Sequence, residues 1–420
     1  MDNINDILKA CIHCGMCLPA CPTYQITGNE GDSPRGRLYI INDAINGSTA
    51  NSQLVDSIHY LDNCLECSAC ETVCPSKVQY TSILEHARND LKLNNYSKGL
   101  TGLIRKIAFT WLLPNRLLLR IIRALTNFTT MLIPLHRFIK IIPNFEESYH
   151  QIKTNYYYRS KIELTDVSDT DRTLTMPLGC VMDTVYNHVH WDTIKVLNEF
   201  GYHVYIPASD CCGALAYHSG EANLGLQQLQ STVQKLSESS ENSLHVYPIL
   251  MNSAGCGAFL KNHSDLKVLD LIEALEQGLV NPMKRNFLSM YNEIAMPASL
   301  ARDDSRRSKI TAVYHPACHL NHQQGLANNY VELLKQIPNL ELVPLYEADM
   351  CCGSAGFYNL IKSKMANEIG KRKARFIKNT GAKIILTANP GCMSQIQAHL
   401  GDEYKVLHPV SLIKGYLASL

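Results

Sequence analysis

Cysteine recurs in the first 75 residues at a spacing able to hold metal: Cys11-x-x-Cys14-x-x-Cys17-x-x-x-Cys21-Pro22, then Cys64-x-x-Cys67-x-x-Cys70-x-x-x-Cys74-Pro75. Short gaps let three thiolates converge on three corners of one cube. The longer gap and the proline turn the fourth toward a neighbour. This is the run that binds bacterial-type [4Fe–4S] clusters, with the fourth thiolate lent to the other cluster. The expectation is one cluster on Cys11, Cys14, Cys17 and Cys74, and a second on Cys64, Cys67, Cys70 and Cys21. Structural zinc also uses CxxC pairs, but it takes four ligands in one tetrahedron. It would leave the third evenly spaced cysteine and the Cys-Pro unexplained.

Eight more cysteines form a second pattern, written twice within residues 172–420. The first half carries Gly179-Cys180, Cys211-Cys212-Gly213 and Gly255-Cys256; the second carries Ala317-Cys318, Cys351-Cys352-Gly353 and Gly391-Cys392. Cys180 to Cys211 is 31 residues against 33 from Cys318 to Cys351, and Cys212 to Cys256 is 44 against 40. Intervals this close mark an internal duplication. The cysteines follow strand-like apolar runs, such as His203-Val204-Tyr205-Ile206, Thr311-Ala312-Val313-Tyr314 and Lys383-Ile384-Ile385-Leu386-Thr387. Helix-like segments such as 191–200 and 329–336 lie between them. Alternating strand and helix imply α/β units with parallel sheets, whose sites form at the carboxyl ends of strands. All eight cysteines then fall at those ends, and the halves can converge on one crevice. One further iron–sulfur site is the functional expectation; inert buried thiols or a redox-active pair are the alternatives. Adjacent Cys211-Cys212 and Cys351-Cys352 fit a plain core poorly, since neighbouring strand residues point to opposite faces.

Other elements must position these groups. Residues 36–45, between the first two motifs, have helical rather than alternating character. That predicts a mostly helical two-cluster domain over residues 1–90. Residues 91–145 are rich in Leu and Ile and contain no Asp or Glu. Their basic residues are Lys92, Lys98, Arg105, Lys106, Arg116, Arg120, Arg123, Arg137 and Lys140, and Pro114, Pro134 and Pro143 punctuate them. A basic amphipathic helical linker is therefore expected over 91–165, followed by cysteine-rich repeats over 172–300 and 308–420. Leu113, Leu117, Leu118, Leu119, Ile121, Ile122, Leu125 and Phe128, with Trp111, would give the linker an apolar stripe. Beside a basic face, such a stripe suits an interfacial membrane helix; docking to a partner or burial are the alternatives. The expected fold class is α+β multidomain: a mostly helical two-cluster ferredoxin domain, then two duplicated α/β units with parallel sheets.

Composition narrows the function. The chain has 420 residues, 46% hydrophobic and 18% charged, with a net charge of +1. That is enough for several buried cores, and it gives no electrostatic case for nucleic acid. The acidic start, Met1-Asp2-Asn3-Ile4-Asn5-Asp6, lacks the apolar core of a signal peptide. Sixteen cysteines then fit cluster ligands in a reducing cytoplasm better than a secreted disulfide framework. No run of 18 apolar residues suggests a spanning helix. Dinucleotide and phosphate cradles, HExxH and recognisable Ser/His/Asp spacing are missing. No catalytic residue is expected; the chain reads as a wire fed by another protein.

These motifs together resemble the iron–sulfur subunits of the glycolate oxidase, lactate-utilisation and anaerobic glycerol-3-phosphate dehydrogenase group. The likeness is nearest to the glycolate oxidase subunit. It runs through Ala10-Cys11-Ile12-His13-Cys14-Gly15, Cys21-Pro22-Thr23-Tyr24-Gln25, Ser33-Pro34-Arg35-Gly36-Arg37, Gly255-Cys256-Gly257-Ala258-Phe259 and Cys351-Cys352-Gly353-Ser354-Ala355-Gly356. The resemblance implies two [4Fe–4S] clusters, flavin-binding partner subunits that oxidise glycolate to glyoxylate, and delivery of electrons toward the quinone pool. The thiol count points to a cytoplasmic protein, and residues 91–145 to one peripheral on the inner face of the cell membrane, with docking or burial of that segment as the alternatives. Lactate and glycerol 3-phosphate counterparts remain alternatives, as does a heterodisulfide-reductase-like thiol/disulfide enzyme. In that reductase each repeat ends in CxxC and five thiols carry a non-cubane cluster. Here Ser253 and Asn389 stand at the first of those positions, leaving four cysteines per half. His315, His319 and His322 flank Cys318 and are candidates to tune or ligate a centre, or are polar residues of a turn. His13 lies inside the first cluster loop. Arg35 and Arg37 are candidates to dock a partner or to offset cluster charge, or belong to a plain surface loop.

Overall fold

A computed structural model describes residues 4–46, 51–91, 100–123, 149–161, 168, 171–238, 247–280 and 309–417. Two sheets carry the cysteine-rich halves. The first contains β1 (Tyr156–Tyr158), β2 (Thr173–Thr175), β3 (His203–Ile206), β4 (Ile249–Met251) and β5 (Val268–Asp270) in the order β1-β3-β2-β4-β5. The second contains β6 (Ile310–Tyr314), β7 (Leu340–Leu342), β8 (Ile384–Leu386) and β9 (Lys405–Leu407) in the order β7-β6-β8-β9. Apart from β1, every pairing is parallel. The order β3-β2-β4-β5 is therefore repeated as β7-β6-β8-β9, and the duplication read from cysteine spacing is a duplication of fold.

That order places the sites. The first strand of each unit lies inside its sheet, with the next two on either side, so the chain reverses direction there. A crevice opens at such a switch point, beyond the carboxyl ends of the strands. Strands β2 to β5 are buried at every residue, because helices cover both faces of a parallel sheet. One core spans both halves, joining Leu178, Leu197 and Leu250 to Tyr330, Leu386 and Ile396. The last helix, Pro409–Leu417, crosses over to pack on helix Asn187–Glu199 of the first half.

The N-terminal domain is helical, as its sequence implies. Helices Pro22–Thr27, Pro34–Asn46, Asn51–Asp62 and Tyr80–Leu91 surround a core of Ile41, Leu61, Ile83 and Leu84. Pro22 begins its helix at a position where no backbone donor is missed.

The connecting segment departs from expectation in two ways. It begins with helix Leu100–Ile107, a π-helical turn Ala108–Leu112 and helical residues 116–123, but it is not helical throughout. Its end supplies β1, antiparallel to β3. Three consecutive tyrosines favour extended backbone, and the strand covers an edge that would otherwise be open. Second, the arginines do not form an outward basic face. Arg105 donates to the Ser219 carbonyl at 3.0 Å and Arg123 to the Thr184 carbonyl at 2.5 Å. Arg116 reaches the Ser209 carbonyl, and Arg120 pairs with Asp183 at 2.7 Å. Thr184 and Ser219 end short helices, whose last carbonyls lack partners of their own. The guanidinium groups are thus spent on the first half. The outward side is apolar: Trp111 is 75% exposed, Leu117 67% and Ile121 47%. Lys92, Lys98, Leu125, Phe128, Pro134, Arg137, Lys140 and Pro143 lie outside the described residues.

The glycine of each Cys-Cys-Gly is a fixed point of the design. Gly213 and Gly353 both have φ +88°, and a Cβ on Gly213 would lie 2.1 Å from the Gly225 carbonyl oxygen. On Gly353 the nearest atom, the Ala366 carbonyl oxygen, is 2.8 Å away. Gly213→Ala should therefore cost more than about 2 kcal/mol, from left-handed backbone plus steric clash. Gly353→Ala should cost less. Thermal melts of the two variants test the order, and equal midpoints would contradict it.

Candidate iron–sulfur centres

The two N-terminal loops share one backbone signature. His13 and Gly15 have φ of 54° and 82°, and Glu66 and Ser68, at the same steps of the second motif, have 51° and 60°. These paired left-handed turns curl each loop so that successive thiols face one point. Only glycine adopts such backbone freely, so Glu66 and Ser68 are strained and need holding. Ser68 bonds Thr81 Oγ1 at 3.0 Å, and Glu66 is buried in an ion pair with Arg88. Donors already point at sulfur. The Glu66 amide lies 3.5 Å from Cys64 Sγ, the Val78 amide 3.5 Å from Cys74 Sγ and the Tyr80 hydroxyl 3.6 Å from Cys64 Sγ.

Cys21 and Arg37 sit beneath the second loop. Burial pushes the Cys67 thiol well up, and repulsion from Cys318, Cys64 and Cys21 adds to it. Cys70 is raised by burial and by Cys67, Cys64 and Cys21. Cys21 raises Cys17 of the first motif as well, so it stands between the two loops, and it lines a small cavity with Cys64, Cys67 and Cys70. Arg37 is fully buried; it donates to the Tyr60 carbonyl at 2.7 Å and to Thr23 Oγ1 at 2.9 Å, with Nη1 3.9 Å from Cys21 Sγ. Burial alone would discharge it, but Cys64, Tyr80 and Cys21 hold its guanidinium above its ordinary pKa. Arg35, by contrast, lies at the surface, paired with Glu30 at 2.6 Å and donating to the His13 carbonyl at 3.2 Å.

All eight repeat cysteines, with Cys64, line one cavity of about 580 Å³. Within it the thiols associate by half. Cys180 Sγ is 3.4 Å from Cys211 Sγ. Thiol donors Cys180 and Cys212 pull Cys211 well below its ordinary pKa, and Cys212 and Ser253 lower Cys256. In the second half Cys318 adjoins Cys351, Cys351 adjoins Cys352, and Cys352 adjoins Cys392; Cys318, Cys351 and Cys352 are all raised. The crevice is shared, then, but each half gathers its own four thiols. Between them the halves are stitched by the Gly255 amide to Asn389 Oδ1 at 3.2 Å and by Tyr186 to Ser394 at 2.6 Å. Asn389, at one of the positions where the fifth cysteine is lacking, still addresses sulfur, with Nδ2 3.6 Å from Cys392 Sγ.

This donor set fits iron–sulfur clusters. All sixteen cysteines are unbridged. Sulfurs around one zinc ion would stand about 3.8 Å apart, given Zn–S bonds of about 2.3 Å. Among the described residues, the groups of three ligating side chains drawn within 4.8 Å are His315–Cys352–Cys392 and Glu66–Glu85–His218. No trio of the N-terminal thiols is among them.

Several functional residues were not legible beforehand. His218, from the first half, lies 2.9 Å from Glu66 and 3.5 Å from Glu85 of the N-terminal domain. Arg88 ties the same point down through the carbonyls of Leu61 and Cys64, both at 2.8 Å. His319 stacks on His218 at 5.2 Å between centroids, so all three modules meet here. Glu66 could have been noticed inside the cluster motif; nothing in the sequence singles out His218. Lys373, buried, donates to the carbonyls of Glu347 at 2.5 Å and Ala348 at 3.2 Å. Burial lowers it to about 8, opposed by the thiols of Cys352, Cys351 and Cys392. Of the three histidines flanking Cys318, His322 bonds Thr72 Oγ1 at 2.8 Å and His319 faces the Glu66 carbonyl at 3.3 Å. His315 is buried beside Cys352 and Cys392.

Cluster loops and thiol tetrads placed side by side define an iron–sulfur electron-transfer protein. Comparison with known proteins agrees. A 4Fe-4S dicluster domain model matches residues 7–78, and a cysteine-rich domain model matches 174–261 and again 312–397. The probable glycolate oxidase iron–sulfur subunit of Bacillus subtilis (strain 168) is 30% identical over 410 residues, covering 94% of this chain and 90% of the relative. The glycolate oxidase iron–sulfur subunit of Escherichia coli (strain K12) is 28% identical over 98% of this chain and 95% of the relative. Lactate utilization protein A of Oceanobacillus iheyensis is 24% identical over 57% of this chain and 95% of the relative. The chain belongs to the family of glycolate oxidase iron–sulfur subunits. Its N-terminal domain holds two [4Fe–4S] clusters, and its repeats are suited to further iron–sulfur binding.

The His218 junction makes a pH prediction. Burial alone would lower His218, but Glu66 and Glu85 hold it up at about 9. A raised pKa contributes stability in full below the ordinary value of about 6.5, lost as pH rises through about 9. The melting-temperature gap between wild type and His218→Gln should be widest near pH 6 and close above about pH 9. A gap constant across that range would show that the ion pair does not hold the junction.

Proposed function

We propose that this chain is the iron–sulfur subunit of a glycolate-oxidising complex, carrying electrons from a flavin-binding partner toward the quinone pool. One observation carries the reading: thiol groups run without interruption from the surface to the shared cavity. Cys14 is exposed in the first loop, flanked by exposed Ile12 and Met16. Cys67 of the second loop and Cys351 of the second repeat belong to one hydrophobic cluster. The tetrads of both repeats then line the same cavity. Bound clusters supply one-electron storage at these stations. The chain's own residues hold the stations at fixed spacing. Gln323 donates to Ser68 Oγ at 3.1 Å and the Tyr358 hydroxyl to the Asn63 carbonyl at 3.0 Å, clamping the second loop onto the second repeat. The exposed first loop is the entry, where the flavin partner docks, and the cavity is the exit.

Two details belong to this proposal. Crossed ligation, with Cys21 closing the cluster of Cys64, Cys67 and Cys70 and Cys74 that of Cys11, Cys14 and Cys17, is supported by the small cavity that Cys21 lines together with Cys64, Cys67 and Cys70. Each repeat tetrad takes its own iron–sulfur centre, one per half. Glycolate is preferred over lactate because the glycolate oxidase relatives match along nearly the whole chain, whereas the lactate-utilisation relative matches just over half.

The protein works at the inner face of the cell membrane. No helix among the described residues is long and apolar enough to cross it. The outward strip of Leu103, Trp111, Leu117 and Ile121 suits the headgroup boundary instead. Leu113 and Leu119 of the same segment line the cavity, which gives a lipophilic quinone an apolar way in.

The purified complex, assayed with a quinone analogue, should oxidise glycolate in preference to lactate and glycerol 3-phosphate. Cys21→Ser should disturb the EPR signal of the second-loop cluster and leave that of the first. Lactate turnover exceeding glycolate turnover would replace the substrate assignment. Disturbance of the first-loop signal alone would replace the crossed ligation. On vesicles, Trp111→Ser/Leu117→Ser should lose flotation on neutral and anionic lipid alike. Flotation that survives this change, or that depends only on anionic lipid, rules out insertion of the apolar strip.

A further inference from the structure

The two repeats share a fold but not the residue behind their cysteines. In the second half the strand β6 is followed by His315, whose amide bonds the Leu386 carbonyl at 2.9 Å. At the same step of the first half, three residues before Cys180 as His315 is three before Cys318, stands Pro177. Both are buried, His315 to 1% exposed. A proline side chain there needs no hydrogen-bond partner. A buried imidazole does, since unpaired polar atoms in the interior are costly. Yet neither His315 ring nitrogen has a hydrogen-bond partner. The Ala348 carbonyl faces the ring without the alignment of a bond, and it already accepts from Lys373. The remaining neighbours are sulfur: a ring nitrogen of His315 lies within 4.8 Å of Cys352 Sγ and Cys392 Sγ.

We infer that His315 supplies a ring nitrogen as a fifth ligand, beside Cys318, Cys351, Cys352 and Cys392, to the iron–sulfur centre of the second repeat. The first repeat, with Pro177 at that step, holds its centre by thiolates alone. This inference rests on the reading that each repeat takes an iron–sulfur centre. Ligation explains at once why the ring is buried, why it lacks partners and why one half alone has it.

The test uses the full chain, purified anaerobically. Protein labelled with ¹⁵N-histidine should show, by pulsed EPR, a nitrogen coupling of the size expected for an imidazole bound to iron. His315→Met, which removes the ring nitrogens at similar side-chain length, should abolish that coupling and shift the potential of one centre in a dithionite titration. Iron content and the two N-terminal cluster signals should stay as they are. An iron content of about eight per chain, the two N-terminal cubanes alone, would overturn the repeat centres and this ligand with them. More iron than that, but with no labelled-histidine coupling or with one that persists in His315→Met, would overturn the ligand and leave the centres standing. The labelling of wild type decides the matter even if the variant fails to fold.

Discussion

Sulfur that must carry negative charge is buried here, and the rest of the molecule is arranged around that constraint. Burial pushes Cys67 and Cys70 upward, and hydrogen bonding among neighbouring thiols together with burial leaves Cys318, Cys351 and Cys352 raised, so their bare thiolates would be unfavourable inside the protein. Iron relieves part of this. The chain relieves more with two cations that are themselves buried, Arg37 and Lys373. Neither is a surface charge that happened to be nearby: Arg37 is bonded to Tyr60 and Thr23, and Lys373 to Glu347 and Ala348. A reduced centre is more negative than an oxidised one, so fixed positive charge beside it favours the reduced form. Arg37 and Lys373 thus place positive charge where buried sulfur carries the opposite sign.

The same economy governs how the modules join. Glu66 stands between Cys64 and Cys67, in strained left-handed backbone. Its carboxylate meets Arg88 of its own domain and His218 of the first repeat, while its carbonyl faces His319 of the second. A single residue thus shapes the cluster loop and anchors both repeats to it. Movement of either repeat would disturb the loop, so the stations of the electron path cannot drift apart independently. Rigid spacing is what electron transfer requires of the protein.

Legibility followed distance along the chain. The two N-terminal cysteine triplets-plus-one are local patterns, and the loops they predict repeat one another down to the turns at His13/Gly15 and Glu66/Ser68. The duplicated repeats were visible because cysteine and glycine mark the same step after corresponding strands. Burial of His203 to Ile206 on both faces left a continuous run, which still reads as a strand in a parallel sheet. What was lost depended on direction. Charge can be counted from the sequence, but whether Arg116, Arg120 and Arg123 face lipid or the carbonyls of the first repeat is decided by the fold. The Glu66–Glu85–His218 cluster joins segments more than 130 residues apart, and no periodicity announces it. β1 was obscured by the helical composition upstream of it.

Duplication followed by divergence has given the two halves different work. The second repeat sits against the second cluster loop, with Cys318 and Cys67 close enough to repel one another electrostatically. It also carries Lys373, and His315 where the first has Pro177. The first repeat instead holds the arginine-clamped segment, through Thr184, Asp183, Ser209 and Ser219, and with it the outward apolar strip. One copy is therefore joined to the second cluster loop and the other to the apolar strip, so the two ends of the shared cavity are not equivalent.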